Sequence, residues 1–546
     1  MLRVCLILAI TLFCVGHAAR ATTLPDATLM DEAFQAAQWA HLSSAGAAVQ
    51  QTAARRAAGD DALATLLQQR QIVLDRIARA ETQLATLGGT EAGGDLSKAA
   101  ELGGEIQAAQ SDLDLLDARL AQDHPEYRQL LQPEALRIAD VQASLGADEG
   151  LIFIFTGKWQ THVWAITPDR AAWHRIDLAQ VNIESSVTEI RNSLIQANTL
   201  RAAAALDDAP DEGVPYAATD AMVLYFEILG PLEPYLEDVK HLYSVVDGPL
   251  SGLPLSLLIT DWLENAQNLS LPEDYRRVNW MFQRYTLTTL PSVESLILVK
   301  DAAGTETDTQ NQSFLGIGDP DFAGSLSTPS DGTFFRGTTA DLESLRALAP
   351  LPGTRRELIK LARLFNADDD AILLGTDATE TALRNMPLDQ ASVIAFATHG
   401  LLSGELRGLA EPALALTPPA EISATDDGLL TASEITSLQL NADWVVLSAC
   451  NTAGSDGTPD AEGLSGLARA FLFAGARTLM VSHWPVRDDA AEQLTTSTFD
   501  ALNSGTARRK SEALQSAMQT MLMDESQPDL SHPAAWAPFV LVGHGG

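Results

Sequence analysis

The sequence predicts an α/β fold of mainly parallel sheets flanked by helices, in two units in series, preceded by an all-helical N-terminal arm. Three observations lead there. From Leu29 to Gln122 the chain is rich in Ala, Leu, Gln and Arg with almost no β-branched clusters, which is helical composition. From about residue 150, short apolar runs rich in β-branched and aromatic residues alternate with helical patterns, the signature of parallel strands joined by helices. The polar stretch DAAGTETDTQNQ, residues 301–312, has no apolar periodicity and separates two such regions. A chain of 546 residues is also too long for one core.

Taken in order, the first residues MLRVCLILAITLFCVGHAARA combine a basic Arg3, an apolar run from Val4 to Val15 and a small-residue site around Ala19 and Ala21. This pattern predicts a secretory signal over residues 1–21 and an exported protein, periplasmic or extracellular in a bacterium. The helical arm follows over 22–135. Ala99, Leu102, Ile106, Ala109, Leu113, Leu116 and Leu120 lie at alternating spacings of three and four, on one helical stripe. Leu63, Leu66, Val73, Ile77, Ala80, Leu84 and Leu87 form a second stripe, and the loop GGTEAGG between them makes the pair an antiparallel, coiled-coil-like hairpin. Its plain role is packing, with surface left for protein partners.

The first α/β unit, 136–300, opens with LIFIFTGKWQTHVWAI, a β-hairpin turning at Gly157. Helical patterns at Val181–Ala203 and Ala218–Tyr235 follow, then the strand HLYSVV ending at Asp247-Gly248-Pro249. Its polar loop residues show no convergent catalytic set. The second unit, 313–546, begins at SFLGIGDPDF and continues through helices near Thr354–Phe365 and Thr379–Asn385.

Hydrophobic residues make up 46% and charged residues 20%, the balance of a folded globular chain. The formal charge of −37, from 72 acidic and 35 basic residues, would repel phosphate backbones, so nucleic-acid partners are disfavoured. After the leader no run approaches the ~20 apolar residues of a membrane span. Removing the leader takes away Arg3 and Arg20 and no acid, moving −37 to −39. It also takes away Cys5 and Cys14, two of the three cysteines. Cys450 is then the single thiol, which excludes an intramolecular disulfide and a cysteine-cluster metal site.

Two apolar runs carry the chemistry. Val393–Thr398 leads into His399-Gly400, and Trp444–Ala449 leads into Cys450-Asn451. Each reads as a buried strand, and sites in open parallel sheets form beyond strand carboxyl ends. If the two strands are neighbours, an imidazole and a thiol converge. The imidazole takes the thiol proton and later protonates a leaving amine. The backbone N–H groups of Gly400 and Cys450 are the expected oxyanion donors, Gly400 because a residue without Cβ admits close approach. A buried structural cysteine is the plain alternative.

Other candidates weigh less. Glu462 precedes the helical run Gly463–Gly475 and reads as a dipole partner. His483, followed by Trp484-Pro485, reads as part of a rigid turn. His532 and His544 belong to no HExxH or CxxC pairing, so no metal or other cofactor is expected. Ser251 and Ser465 lack a G-x-S-x-G elbow. The loop from Ser403 to Asp427 reads as a solvated connection.

The runs IAFATHG, LLTASEI, WVVLSACNT, EGLSGLARAFLFAGARTLMVSHWPVRD and HPAAWAPFVLVG resemble, in order and spacing, the successive blocks of CHAT proteins. These are caspase-like proteins often attached to TPR repeats. HPEYRQL, LYFEILGPLEPYL, VVDGPLSGLP, FLGIGDPDF and LPGTRREL extend the resemblance from about residue 124 to the C-terminus. It implies a cysteine endopeptidase in which His399 and Cys450 match the catalytic pair, acting on a protein or peptide substrate. It also implies two caspase-like units of which only the second is catalytic, with the helices before residue 124 as a TPR-to-CHAT connector. The TPR repeats themselves are not evident. Caspase-like peptidases that prefer basic residues often carry an acid two positions before the cysteine, and here that position is Ser448, which weakens an Arg or Lys preference. The alternative is an idle interaction scaffold built on the arm and the first unit. A weaker one is an acyltransferase using the same thiol with an amine acceptor.

Overall fold

Strand β1 (Glu149–Thr156) shows why the apolar runs carry no polar face. Leu151 and Phe153 enter a core on one side of the sheet, Ile152 and Ile154 a core on the other, with successive residues pointing to opposite faces. The computed structural model describes residues 27–41, 96–123, 135–204, 214–302, 313–322, 342–402, 411–419, 426–448 and 466–545, with Leu406, Leu409 and isolated positions between 66 and 80. The expected leader, the GGTEAGG loop, residues 303–312 of the expected linker, Cys450, Glu462 and Ser465 lie outside the described residues.

Helix α1 (Ala27–Ala40) sits at the start of the expected arm, yet it packs on the sheet of the first unit. Phe34 meets the rings of Phe153 and Trp164 at 5.9 and 5.8 Å, and Gln38 exchanges hydrogen bonds with the backbone of Leu136. The apolar face of a helix of this length is stable only when covered, and here the sheet covers it. Helix α2 (Leu96–Asp123) carries the stripe that runs from Ala99 to Leu120, with Leu102 and Ala109 buried. Val73 and Ala80 are buried too, and Arg76 bonds Asp112 at 2.5 Å, which brings the two stripes' segments together.

β1 turns through Gly157, whose N–H donates to the Gln160 carbonyl at 2.9 Å, into antiparallel β2 (Thr161–Ile166) and then β3 (Ala171–Ile176). After helices α3 (Gln180–Ala204) and α4 (Ala218–Ile228), β4 (His241–Val246) pairs parallel to β1, and β5 (Thr286–Thr289) parallel to β4. A helix over Ser295–Ala302 runs into the first two positions expected as linker.

The second unit contributes β6 (Phe314–Pro320), β7 (Ile372–Gly375), β8 (Val393–Ala397), β12 (Trp444–Leu447) and β13 (Thr478–Ser482), all mutually parallel, and antiparallel β14 (Phe539–Gly543). Short strands β9 (Gly400–Leu401), β10 (Ala413–Ala415) and β11 (Leu429–Thr431) make a separate small sheet. Its helices include α5 (Pro352–Leu364), α6 (Gly466–Ala474), α7 (Asp488–Asn503) and α8 (Lys510–Met523). The fold is thus mixed α/β with a large, mainly parallel sheet flanked by helices.

The two regions do not form separate sheets. β5 adjoins β14, giving, among the described residues, one eleven-stranded sheet in the order β3-β2-β1-β4-β5-β14-β13-β12-β8-β6-β7. One face carries a core shared by both units, holding Ile152, Tyr225, Trp280, Leu494 and Trp536. The other face carries two cores, one around Phe153 and Trp164, one around Phe396 and Phe471. Each fully buried large side chain contributes about 1.5–3 kcal/mol, so the shared face alone couples the units strongly. Polar links reinforce the join. Arg509 grips Asp148 at 3.0 Å, and the Ser511 hydroxyl meets His241 Nδ1 at 3.0 Å.

Candidate active site

β8 and β12 are hydrogen-bonded neighbours, with Trp444 level with Val393 and Leu447 level with Phe396. The runs place them so because β8 supplies five and β12 four consecutive buried residues alternating between the two cores. The ladder continues one residue past β12, where the Ser448 N–H donates to the Phe396 carbonyl at 2.9 Å. His399 therefore leaves one strand and Ser448 its neighbour at the same carboxyl edge. Cys450 follows two residues on, outside the described residues.

His399 is held from both sides. Its carbonyl accepts the Ala415 N–H at 2.9 Å and the Thr398 hydroxyl donates to the Ala415 carbonyl, which locks the backbone to β10. Gly400, the expected oxyanion donor, begins β9 and pairs with Leu414. The His399 ring rests 5.5 Å from Phe322, and Nε2 lies 2.8 Å from the Ala349 carbonyl. A carbonyl only accepts, so the neutral ring carries its proton on Nε2 and keeps the Nδ1 lone pair. That is the tautomer of a base ready to take a proton at Nδ1.

Below His399 lies a cleft whose lining includes Thr354, Glu357, Ser448 and Asp488. Glu357 projects from α5 and is 2% exposed. Its carboxylate accepts from the Ser448 hydroxyl at 2.9 Å and from the Thr495 hydroxyl at 2.8 Å. Burial pushes its carboxyl up to about 7, against the pull of those two hydroxyls and with the help of Glu492 and Asp488. Asp488 opens α7 and accepts the Gly353 N–H at 3.1 Å. A Cβ on Gly353 would overlap the Asp488 side chain, so only glycine lets the two helix starts approach.

The remaining candidates among the described residues do not line the cleft. His483 is buried outside the cleft lining, and burial takes its imidazole down to about 3. His532 Nδ1 accepts from the Ala534 N–H at 3.1 Å and its ring stands edge-on to Tyr275. His544 is driven down to about 4 by burial. The Ser251 hydroxyl donates to the Gly248 carbonyl at 2.6 Å within a turn. Among the described residues no three His, Cys, Asp or Glu side chains are placed to hold a metal ion, and no helix is long and apolar enough to cross a membrane. Three site features escape the sequence: the Ala349 carbonyl, Glu357 and Asp488. Only the last two have a side chain to read, and both sit within helical patterns.

The chain is 26% identical over 369 residues to Tetratricopeptide repeat protein 28 of Homo sapiens, covering 60% of this chain and 13% of that protein. It is 26% identical over 335 residues to the protein of that name from Mus musculus, covering 56% and 12%. The chain thus spans about an eighth of the length of these relatives. Among solved structures, the separase–securin complex of Saccharomyces cerevisiae matches with a TM-score of 0.42 and 11% identity, over 83% of this chain and 34% of that one. The Arg specific cysteine proteinase gingipain R matches with a TM-score of 0.34 and 10% identity, over 60% and 67%. The CHAT domain model matches residues 219–544, more than half of the chain and all of the second unit's sheet. The chain belongs to the CHAT domain family.

Proposed function

We propose that the protein is a cysteine-type endopeptidase acting on a protein partner or on itself, with His399 as base and Cys450 as nucleophile. The observation that supports this most is the His399 ring. Its Nε2–H is occupied by the Ala349 carbonyl, and it stands at the end of the strand beside the one that leads to Cys450.

In this reading Nδ1 takes the Cys450 proton, and the thiolate attacks the scissile carbonyl. The oxyanion is met by the backbone N–H groups of Gly400 and Cys450. The C–N bond breaks, the imidazolium protonates the departing amine, and a thioester remains. Water, deprotonated at Nδ1, then releases the carboxylate and restores the thiol. The stretch before residue 124 serves protein contacts, in keeping with relatives named for tetratricopeptide repeats. Residues 1–21 direct export, which the mass of the native N-terminus tests.

The deciding experiment labels the purified full chain with an electrophilic peptide probe. Labelling maps to Cys450, is lost in Cys450→Ala and slows at least ~10²-fold in His399→Ala. A Cys450 no more reactive than a model thiol, with His399→Ala without effect, overturns the reading in favour of an idle scaffold.

A further inference from the structure

We propose that the cleft below His399 receives a lysine or arginine side chain of the substrate, the residue on the amino side of the cleaved bond, and that Glu357 and Asp488 are its specificity-determining acids. This rests on the peptidase reading of the same site.

Ser448, two positions before Cys450, has no charge, and by sequence it argues against a basic preference. In space its hydroxyl is bonded to Glu357 at 2.9 Å, so a carboxyl group stands directly behind the small side chain. An acid supplied from α5 thus occupies the place that residue 448 leaves open. Asp488 adds a second carboxylate to the lining, and among the described residues no lysine or arginine lines the cleft. Neither acid takes part in a described ion pair; the neighbouring Arg487 is committed to Asp489 and Asp529.

The walls suit the rest of such a side chain. Leu351, Val486 and Ala491 offer apolar surface for an aliphatic stem, as long basic side chains require. Thr354 and Thr398, whose hydroxyls donate to the carbonyls of Leu351 and Ala415, belong to the same lining. A carboxyl group buried without a cation costs stability when ionised, because the charged form has lost its water. Glu357 at about 7 is in that condition, and an arriving ammonium or guanidinium is the partner that would restore its charge. An acidic side chain would meet repulsion, and an uncharged one would leave the carboxyl group unpaired.

The test separates binding from reactivity. Full-length Cys450→Ala protein is titrated calorimetrically with N-acetyl peptide amides that differ only in the last residue: arginine, lysine, norleucine or aspartate. The arginine and lysine members bind at least tenfold tighter than norleucine, and aspartate binds weakest. Glu357→Gln and Asp488→Asn each remove most of that preference, Glu357→Asp keeps it, and thermal melts show which variants remain folded. Equal binding of norleucine, no binding by any member, or a preference that survives both substitutions overturns the proposal. Wild-type protein is separately treated with iodoacetamide, with and without His399→Ala. A fast, His399-dependent reaction with no basic preference in the titration sinks the cleft assignment and leaves the peptidase reading standing; an inert Cys450 sinks the latter.

Discussion

The two α/β units share a sheet and differ at their strand ends. In the first unit the end of β4 is closed. Asp247 donates its N–H to Ile154 at 2.9 Å, and the Thr156 hydroxyl donates to the Asp247 carbonyl at 3.0 Å. Gly248 turns away at φ 73, and His41, arriving from the end of α1, meets the Asp247 carboxylate at 2.8 Å. In the second unit the corresponding edge opens on a cleft lined by His399, Ser448, Glu357 and Asp488. Both edges hold a histidine. What separates them is what the imidazole faces: a carboxylate that closes the edge in one, a backbone carbonyl on Nε2 in the other. The two edges differ in what is left unfilled as much as in residue type.

The largest expected effect breaks that comparison at its centre. His399→Ala lowers peptide turnover by about 10²–10⁴-fold, the usual worth of a general acid–base. His41→Ala leaves turnover within twofold and lowers stability by about 1 kcal/mol, the worth of one hydrogen bond. Steady-state kinetics beside a thermal melt checks both, and a comparable kinetic loss in His41→Ala would mean that the first unit's edge also acts.

The second contrast lies at the opposite, starting ends of the strands. Each unit has a lysine paired with an acid there: Lys300 with Glu149 at 2.5 Å, and Lys510 with Asp443 at 2.7 Å. Lys510 is the more deeply buried, and it also bonds Thr478 at 2.7 Å. Lys510→Met strands Asp443 and costs about 3–5 kcal/mol. Lys300→Met costs less, about 1–3 kcal/mol, because Lys300 is the more exposed lysine at 23% and the buried Glu149 keeps the Gly146 N–H as a partner at 2.6 Å. Urea denaturation of the two variants ranks them, and the reverse order would show that burial does not set the cost.

The third sharpens the contrast through pH. Glu357 is raised from 4.5 to about 7 in the folded chain, so folding favours its protonated form. That contribution is full below pH ~4.5 and is lost as pH rises through about 7, amounting to about 3 kcal/mol. Glu357→Gln, which does not titrate, should therefore gain on the wild type by roughly that amount between pH 5 and 8. His241 and His544 act in the other direction. Burial lowers both to about 4, so their contributions are full above 6.5 and fall as pH drops towards 4. Denaturation midpoints at pH 5 and 8 check the sign, and a flat difference between wild type and Glu357→Gln would show that the carboxyl group is not buried as described.

Much of this was legible in the residues. Val393–Thr398 and Trp444–Ala449 read as buried strands because they are apolar almost throughout, and the partition of Val393–Ala397 and Trp444–Leu447 between two cores explains why. The hairpin at Gly157 was legible from its turn. Glu357 was not, since it lies 91 residues from Ser448 and looks like any polar residue of an amphipathic helix. The Ala349 carbonyl could not be, because a backbone carbonyl leaves no trace in residue type. The continuity of the sheet was also hidden: local patterns identify strands, while the order that sets β5 beside β14 depends on packing across the shared core.

The smallest expected effect uses one glycine from each edge. A Cβ at Gly248 would sit 2.8 Å from Thr156 Cβ on a backbone at φ 73, and a Cβ at Gly353 would overlap Asp488. Each change to alanine costs about 1–3 kcal/mol, since strain and overpacking are of similar size. Their kinetic consequences differ. Gly248→Ala strains only the closed edge and leaves KM and kcat of the folded fraction unchanged. Gly353→Ala displaces Asp488 at the cleft, so KM rises several-fold for a substrate with a basic residue before the cleaved bond and hardly moves for one with norleucine. If both variants raise KM alike, the closed edge communicates with the cleft through the shared core, and the two strand ends are parts of one site rather than a filled and an open version of the same design.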